Sequence, residues 1–242
     1  MTRLTVLVLT TGVTAFVPSS ASTQTKQYTL ESAAGLRLHN VTAEPATLQG
    51  KKGLRLTFGG DAARRQENVQ PGQLDPEQLA WIEGVVFSNC VIEAEIAGDL
   101  APRASEGARG FVGVAFRLQE DRKTYDAFYL RPTNGRADDQ ERRNHSAQYI
   151  SHPEWPWFRL RKETPSKYEA YVDLVPGTWT KIKIEVRGER ARLYVHESEQ
   201  PTLIVNDVKS GASAKGAVAL WLGPGTDAHF RNLTIRPDPD KP

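Results

Sequence analysis

Phe111-Val112-Gly113-Val114-Ala115-Phe116-Arg117-Leu118, then Glu120-Asp121-Arg122-Lys123, then Tyr125-Asp126-Ala127-Phe128-Tyr129-Leu130: two short apolar runs, rich in valine and aromatic residues, flank a charged turn. Runs of this length and composition read as strands, and the pair reads as a β-hairpin with a charged tip. Working outward, Cys90 to Ile96 alternates apolar and polar residues, the period of a half-buried strand. Downstream, Tyr168–Leu174, Trp179–Arg187, Arg190–His196, Leu203–Val205, Gly216–Leu222 and His229–Ile235 continue the pattern. Pro176-Gly177-Thr178, Gly188-Glu189 and Gly211 to Lys215 supply turns between them. Upstream, Tyr28–Leu38 and Leu54–Phe58 read as strands, and Gly59-Gly60-Asp61 ends the second. Ala62 to Glu83 reads mostly as loop, with one helical turn from Glu77 to Trp81. Many strands, short turns and almost no amphipathic helix predict an all-β, two-sheet antiparallel jelly-roll sandwich. Trp179 and Trp221 fall on clean strand patterns, so both are expected to fill the inter-sheet core.

The first 21 residues stand apart. Arg3 precedes an uncharged run from Leu4 to Val17, and Pro18-Ser19-Ser20-Ala21 follows with small residues at the cleavage positions. That is the three-part pattern of a secretory signal peptide, with an apolar core short for a bilayer. Residues 1–21 are therefore expected to be removed, leaving 22–242 as a single domain, secreted or periplasmic, without a membrane span. Lysine and arginine number 31 against 29 acidic residues, a net charge of +2, which speaks against a nucleic-acid partner. Cys90 is the only cysteine. It allows no intrachain disulfide, and its apolar neighbours suit an inert buried thiol rather than a nucleophile. Oligomeric state is unknown from sequence.

The C-terminal third also carries a resemblance. Tyr168-Glu169-Ala170-Tyr171-Val172-Asp173-Leu174, Gly177-Thr178-Trp179-Thr180-Lys181-Ile182-Lys183-Ile184 and Ala191-Arg192-Leu193-Tyr194-Val195 resemble strands of the concanavalin A-like carbohydrate proteins. Gly216-Ala217-Val218-Ala219-Leu220-Trp221 and Phe230-Arg231-Asn232-Leu233-Thr234-Ile235 resemble their closing strands. Within that group the sequence is most similar to the 3-keto-disaccharide hydrolase domain family, over roughly Val85 to Pro237. The resemblance implies a jelly roll that binds sugar on a concave face, in a protein that is often secreted and sometimes binds calcium. The same strand pattern occurs in laminin-G-like and pure binding domains. The stretch from Arg131 to Ser146 is longer and more basic than the typical hydrolase family has there.

Arg131 to Lys167 breaks the β pattern and reads as a long decorated excursion, the kind of segment that carries function. Asp138, Asp139, Glu141, Arg142, Arg143 and His145 crowd within eight positions. Sugars are held by planar hydrogen-bonding groups and flat apolar surfaces: Asn134 and Gln148 offer amides, Arg131 and Arg143 donor forks, and Tyr149, Trp155 and Trp157 rings. His145 is the residue type suited to move a proton near neutrality. Asp138 or Asp139 would orient it or act as acid, and Arg131 or Arg143 would stabilise developing negative charge. A glycosidase would need two carboxylates across the sugar; Asp138 or Asp139 could be one, and Glu169 or Asp173 the other. No cofactor is required. Calcium is possible through Asp138 and Asp139, while no His-x-His or HExxH spacing announces zinc. Asn40, Asn144 and Asn232 begin Asn-x-Ser/Thr triplets, which read as chance matches. Three functions stay open: a secreted glycoside hydrolase-like protein acting on a sugar or keto-glycoside, a non-catalytic carbohydrate-binding module, and a structural or adhesion domain.

Overall fold

The computed structural model describes residues 24–59 and 77–238. The expected signal peptide, residues 1–21, and most of the expected loop from Ala62 to Glu83 lie outside the described residues. Two antiparallel sheets face each other. The first runs in the order β13 (Leu203–Val205), β12 (Arg190–Val195), β11 (Thr180–Arg187), β6 (Cys90–Leu100), β15 (Thr226–Pro237), β4 (Lys51–Phe58), β3 (Val41–Leu48), with β1 (Lys26–Tyr28) also paired to β15. The second runs β10 (Glu169–Ala170), β9 (Ala147–His152), β8 (Tyr125–Leu130), β7 (Val112–Leu118), β14 (Ala217–Leu222), β5 (Leu79–Ile82), β2 (Leu36–His39).

Alternation decides which side chains meet between the sheets. In the first sheet Ile92, Ala94 and Ile96 are buried while Glu93 is exposed. Ile184 and Ile182 pair with Ile92 and Ala94 on the same inner face. In the second sheet Val112 points inward, since a Cβ at Gly98 of β6 would lie 2.8 Å from its Cγ1. Val114 follows by alternation, and cross-strand pairing adds Leu220, Phe128 and Tyr149 to this inner face. Gly113, Tyr129 and Gln148 consequently look to the other side.

Several elements differ from the sequence reading. Tyr28–Leu38 is not one strand: β1 and β2 belong to different sheets. Strand β3 was not expected, because its exposure on an edge leaves it without an apolar face; that edge position also tolerates Pro45. The expected helical turn at Glu77–Trp81 is instead the start of β5, completed by pairing with β14 and β2. Of Tyr168–Leu174 only Glu169–Ala170 is paired. Val172 and Leu174 are buried as the alternation requires, but β10 is the last strand in its sheet. The excursion is not one loop. Ala147–His152 forms β9, paired on both sides, and it shows no period because both of its faces are covered.

Trp221 is buried, 7% exposed, but it lies beside Gly113 on the face of the second sheet turned away from the first, not between the sheets as expected. Trp179 does not fill the inter-sheet core either: it is half-buried, precedes β11, lies over Gly53, and donates from Nε1 to Leu48 O at 3.0 Å. Cys90 is buried, and burial pushes its thiol up to about 12, as an inert thiol requires. Among the described residues, no helix is long and apolar enough to cross a membrane.

Candidate functional site

One cross-strand row orders the outer face of the second sheet: Leu79, Trp221, Gly113, Tyr129, Gln148, Glu169. Trp221 and Tyr129 stack with centroids 4.6 Å apart, flanking Gly113. Any Cβ at Gly113 would meet the Tyr129 Cβ at 2.6 Å and Phe128 O at 2.2 Å. At one end of this face Tyr125 Oη donates to Glu77, accepts from Trp221 Nε1 at 3.0 Å, and stands 3.1 Å from His152 Nδ1. Burial, then the charge of Glu77, holds the Tyr125 phenol well above its ordinary range.

The other end holds the residues singled out from sequence. Arg131 follows β8, two residues after Tyr129 and on the same face. It is buried, and both of its Nη groups are engaged: Nη1 to His145 O at 2.9 Å and Glu169 Oε1 at 3.2 Å, Nη2 to Tyr129 Oη at 2.9 Å and Gln148 Oε1 at 3.0 Å. Gln148 donates onward to the carbonyls of Tyr149 and Tyr168. Glu169 also accepts from Arg161, whose Nε is 3.0 Å from Oε2 and whose Nη2 contacts Oε1. Burial by itself would raise the Glu169 carboxyl. The Arg161 hydrogen bond and the charges of Arg131, Arg161 and His145 outweigh it, and the net shift is downward.

His145 Nδ1 lies 3.0 Å from Glu169 Oε2, at ion-pair distance. The pair is not aligned as a hydrogen bond, and both ring nitrogens are buried without one. Burial is the largest influence on this imidazole and lowers its pKa. Glu169 opposes that shift, while Arg161 and Arg131 reinforce it. His145 is therefore neutral at pH 7.

The excursion's two halves bring these groups together. After Arg131 a 3-10 turn, Pro132–Asn134, leads to Gly135, where a Cβ would fall 2.3 Å from Leu174 N; only glycine lets the turn dock on the Val172–Leu174 segment. Helix α1 (Gln140–Asn144) then presents Arg142 and Arg143, and helix α2 (Trp157–Glu163) places Trp157 and Arg161 one turn apart. The Arg161 guanidinium lies 4.8 Å from the Trp157 ring centroid and that of Arg131 5.9 Å. Trp157 is 43% exposed, an indole partly open to solvent beside a buried polar cluster.

The sequence-predicted residues thus divide. Arg131, Gln148, His145 and Trp157 converge. Asn134 joins them through His145 O at 3.4 Å and Arg142 Nη2 at 3.5 Å. Arg143 follows Arg142 on α1 and donates to Tyr171 Oη at 2.9 Å. Asp138 and Asp139 are exposed, and Asp139 accepts from Arg142 N at 3.0 Å as the N-cap of α1. The carboxylate at His145 is Glu169, not either of these aspartates. Tyr149 turns into the inter-sheet core and donates to Asp126 at 2.5 Å. Trp155 is covered by Arg159 at 3.9 Å and Lys209 at 4.8 Å. Asp173 pairs with Arg136 at 2.7 Å. Tyr129 and Arg161 were not singled out from sequence. Their signals are simple: Tyr129 is two residues before Arg131 on a strand, and Arg161 is four after Trp157 on a helix. Among the described residues no three His, Cys, Asp or Glu gather as metal ligands.

The carbohydrate-binding module CBM66 from Bacillus subtilis superposes with TM-score 0.55 at 13% identity, covering 84% of this chain and 95% of that one. This chain has a concanavalin A-like jelly-roll fold. The cellulose-induced protein Cip1 gives TM-score 0.55 at 9% identity over 88% and 97% of the two chains. Lectin II from Ulex europaeus gives 0.50 at 9% identity over the same shares. No protein-family profile matches the sequence, and no curated protein sequence matches it significantly. At these identities the likeness establishes the fold.

Proposed function

We propose that this is a secreted, non-catalytic carbohydrate-binding protein whose ligand lies on Trp157, at the Arg131–Glu169 end of the second sheet. One observation carries the reading: an exposed indole stands beside a cluster whose single buried carboxylate is already saturated. Glu169 is clamped by two arginines and held ionised, so it is a poor proton donor and a weak base. The second carboxylate that adjoins the cluster, Glu141, is 87% exposed and lies 4.0 Å from His145 Nε2, on the imidazole, whereas glycoside hydrolysis by paired acids requires two acids across the sugar. A flat ring beside fixed donors is what sugar binding needs, since the ring covers the apolar face of a pyranose and the donors fix its hydroxyls. The jelly-roll fold supports the same reading, because carbohydrate-binding modules and lectins are built on it.

A second reading, hydrolysis of a keto-glycoside, is favoured by one feature. His145 is neutral, has free ring nitrogens and sits against an ionised glutamate, which suits a general base acting beside a ketone. Calorimetry against a panel of oligosaccharides and keto-glycosides, with product analysis in parallel, separates the two. The binding reading expects heat without turnover, and Trp157→Ala is expected to weaken affinity by about tenfold or more with an unchanged melting temperature. Product formation that is lost in His145→Ala would establish the second reading in its place.

A further inference from the structure

We infer that the sugar bound at Trp157 is an acidic one, a uronate whose carboxylate is met by the arginines of the excursion. The inference rests on the carbohydrate-binding reading and names its ligand class. Four guanidinium groups gather here, Arg109, Arg131, Arg142 and Arg161, and Arg143 follows Arg142 on α1 with its guanidinium against Tyr171. Arg131 and Arg161 share the Trp157 ring. Arg131 and Asn134 meet at the carbonyl of His145, and Asn134 links on to Arg142. Arg109 is half-buried beside them, its pKa lowered first by burial and then by the charges of Arg142 and Arg131.

The acidic groups nearby are engaged or exposed: Asp173, which feels the charge of Arg143, is paired to Arg136 at 2.7 Å. Glu169 is held between Arg131 and Arg161. Glu141 is 87% exposed, with its Oε1 4.0 Å from His145 Nε2. Asp138 and Asp139 are exposed, and Asp139 is occupied as a helix cap. Arg109 donates to the backbone carbonyls of Glu106 and Ala108, and Arg143 to a neutral phenol. The Nε atoms of Arg142 and Arg143 and both ring nitrogens of His145 are buried and make no hydrogen bond, although buried donors are ordinarily satisfied. Unpaired donors and uncompensated positive charge are both answered by the same group. A carboxylate offers two coplanar acceptor oxygens that match a guanidinium fork in parallel hydrogen bonds. A neutral hydroxyl would answer the donors and leave the charge.

The test compares oligogalacturonate with the same oligomer methyl-esterified, which keeps the sugar and removes the charge. Calorimetry with the intact protein is expected to show at least about tenfold tighter binding of the acid form. That preference should shrink when salt is raised from low to high ionic strength, and collapse in the double variant Arg142→Gln, Arg143→Gln. Circular dichroism of the variant checks its fold, and Arg142→Lys, Arg143→Lys, which keeps charge but loses the fork, should retain part of the preference. Equal affinity for acid and ester would overturn the inference and leave the binding reading standing. A preference for the acid that survives the double glutamine variant would overturn the placement. No binding of acid, ester or any neutral sugar would defeat both.

Discussion

Glu169 carries more of the site than any other single residue, because two guanidinium groups and an imidazole meet on one carboxylate. Removing its charge leaves Arg131 and Arg161 together without a counter-ion in a place where Arg131 has almost no access to water. Glu169→Gln should therefore lower stability by about 3–5 kcal/mol, the range for breaking a buried pair from one side, read from urea denaturation at pH 7. Its pH signature follows from the sign of the shift. The folded carboxyl lies below its unfolded value, so the contribution is present above the ordinary glutamate range and is lost as pH falls through the folded value. His145 acts in a separate window. Its folded pKa is depressed below 6.5, with burial the largest cause, so the unfolded chain takes up a proton first and stability starts to fall as pH drops below about 6.5. In Glu169→Gln the acid loss below the glutamate range should flatten, while His145→Ala should flatten only the earlier one. Unchanged profiles in both variants would show that this cluster does not couple to folding. Sequence alone singled out His145 and Arg131 by residue type and position, and the fold brings them to one cluster. It assigned Asp138 and Asp139 to His145 because they were close in the chain, whereas the partner comes from β10, 24 residues on, brought back by β9 and the docking of Gly135 on Leu174.

At the scale of single elements, alternation was legible where one face is buried and failed where both or neither are. The pair β11–β12 stands where alternation placed it, while the hairpin β7–β8, buried along its whole length, was legible from its short apolar and aromatic runs around a charged turn. Strand β9 is covered on both faces and so lost its period, and β3 is exposed and had none to show. The two tryptophans illustrate the same limit. Both follow strand-like patterns, yet only Trp221 lies within a strand; Trp179 ends the turn before β11 and rests on the first sheet's outer surface. Trp221→Ala should cost about 3–5 kcal/mol, since it empties a buried indole, breaks the stack on Tyr129 and removes the hydrogen bond that Nε1 donates to the Tyr125 hydroxyl. Trp179→Ala should cost only about 1–2 kcal/mol, for one hydrogen bond and partial burial. Equal losses in thermal or urea unfolding would contradict this separation.

Across the whole molecule, the two sheets are joined at one end by a buried arginine that the sequence pattern places on the wrong side. In β7, Val112, Val114 and Phe116 point inward, so strict alternation sends Arg117 out. The register against β14 shifts between Ala217 and Ala219, where three steps from Ala115 to Leu118 oppose two, which is a β-bulge. Arg117 takes φ +54° there, a left-handed conformation that costs a non-glycine residue of order 1–3 kcal/mol. The return is a side chain turned between the sheets and 2% exposed. Its Nη2 donates to Gly188 O at 2.7 Å in the β11–β12 turn, Nη1 to Gly211 O at 2.7 Å and Ser210 Oγ at 3.0 Å, and Nε and Nη2 to Ser88 O at 3.3 Å. Three backbone carbonyls from segments flanking both sheets thus depend on one guanidinium. Burial lowers its pKa, partly offset by the charge of Asp126, so the charge is tolerated because it is fully hydrogen-bonded. Arg117→Leu would leave those carbonyls buried and unpaired, and a loss of about 3–5 kcal/mol is expected. Arg117→Lys should recover little, because one ammonium cannot reach three carbonyls spread around a planar fork. The losses should appear as a single shifted transition by both tryptophan fluorescence and far-ultraviolet dichroism, since the sheets unfold together. A lysine variant as stable as the native protein, or a leucine variant within about 1 kcal/mol of it, would show that the sheets are held by their apolar faces alone and that the bulge at Arg117 has another purpose.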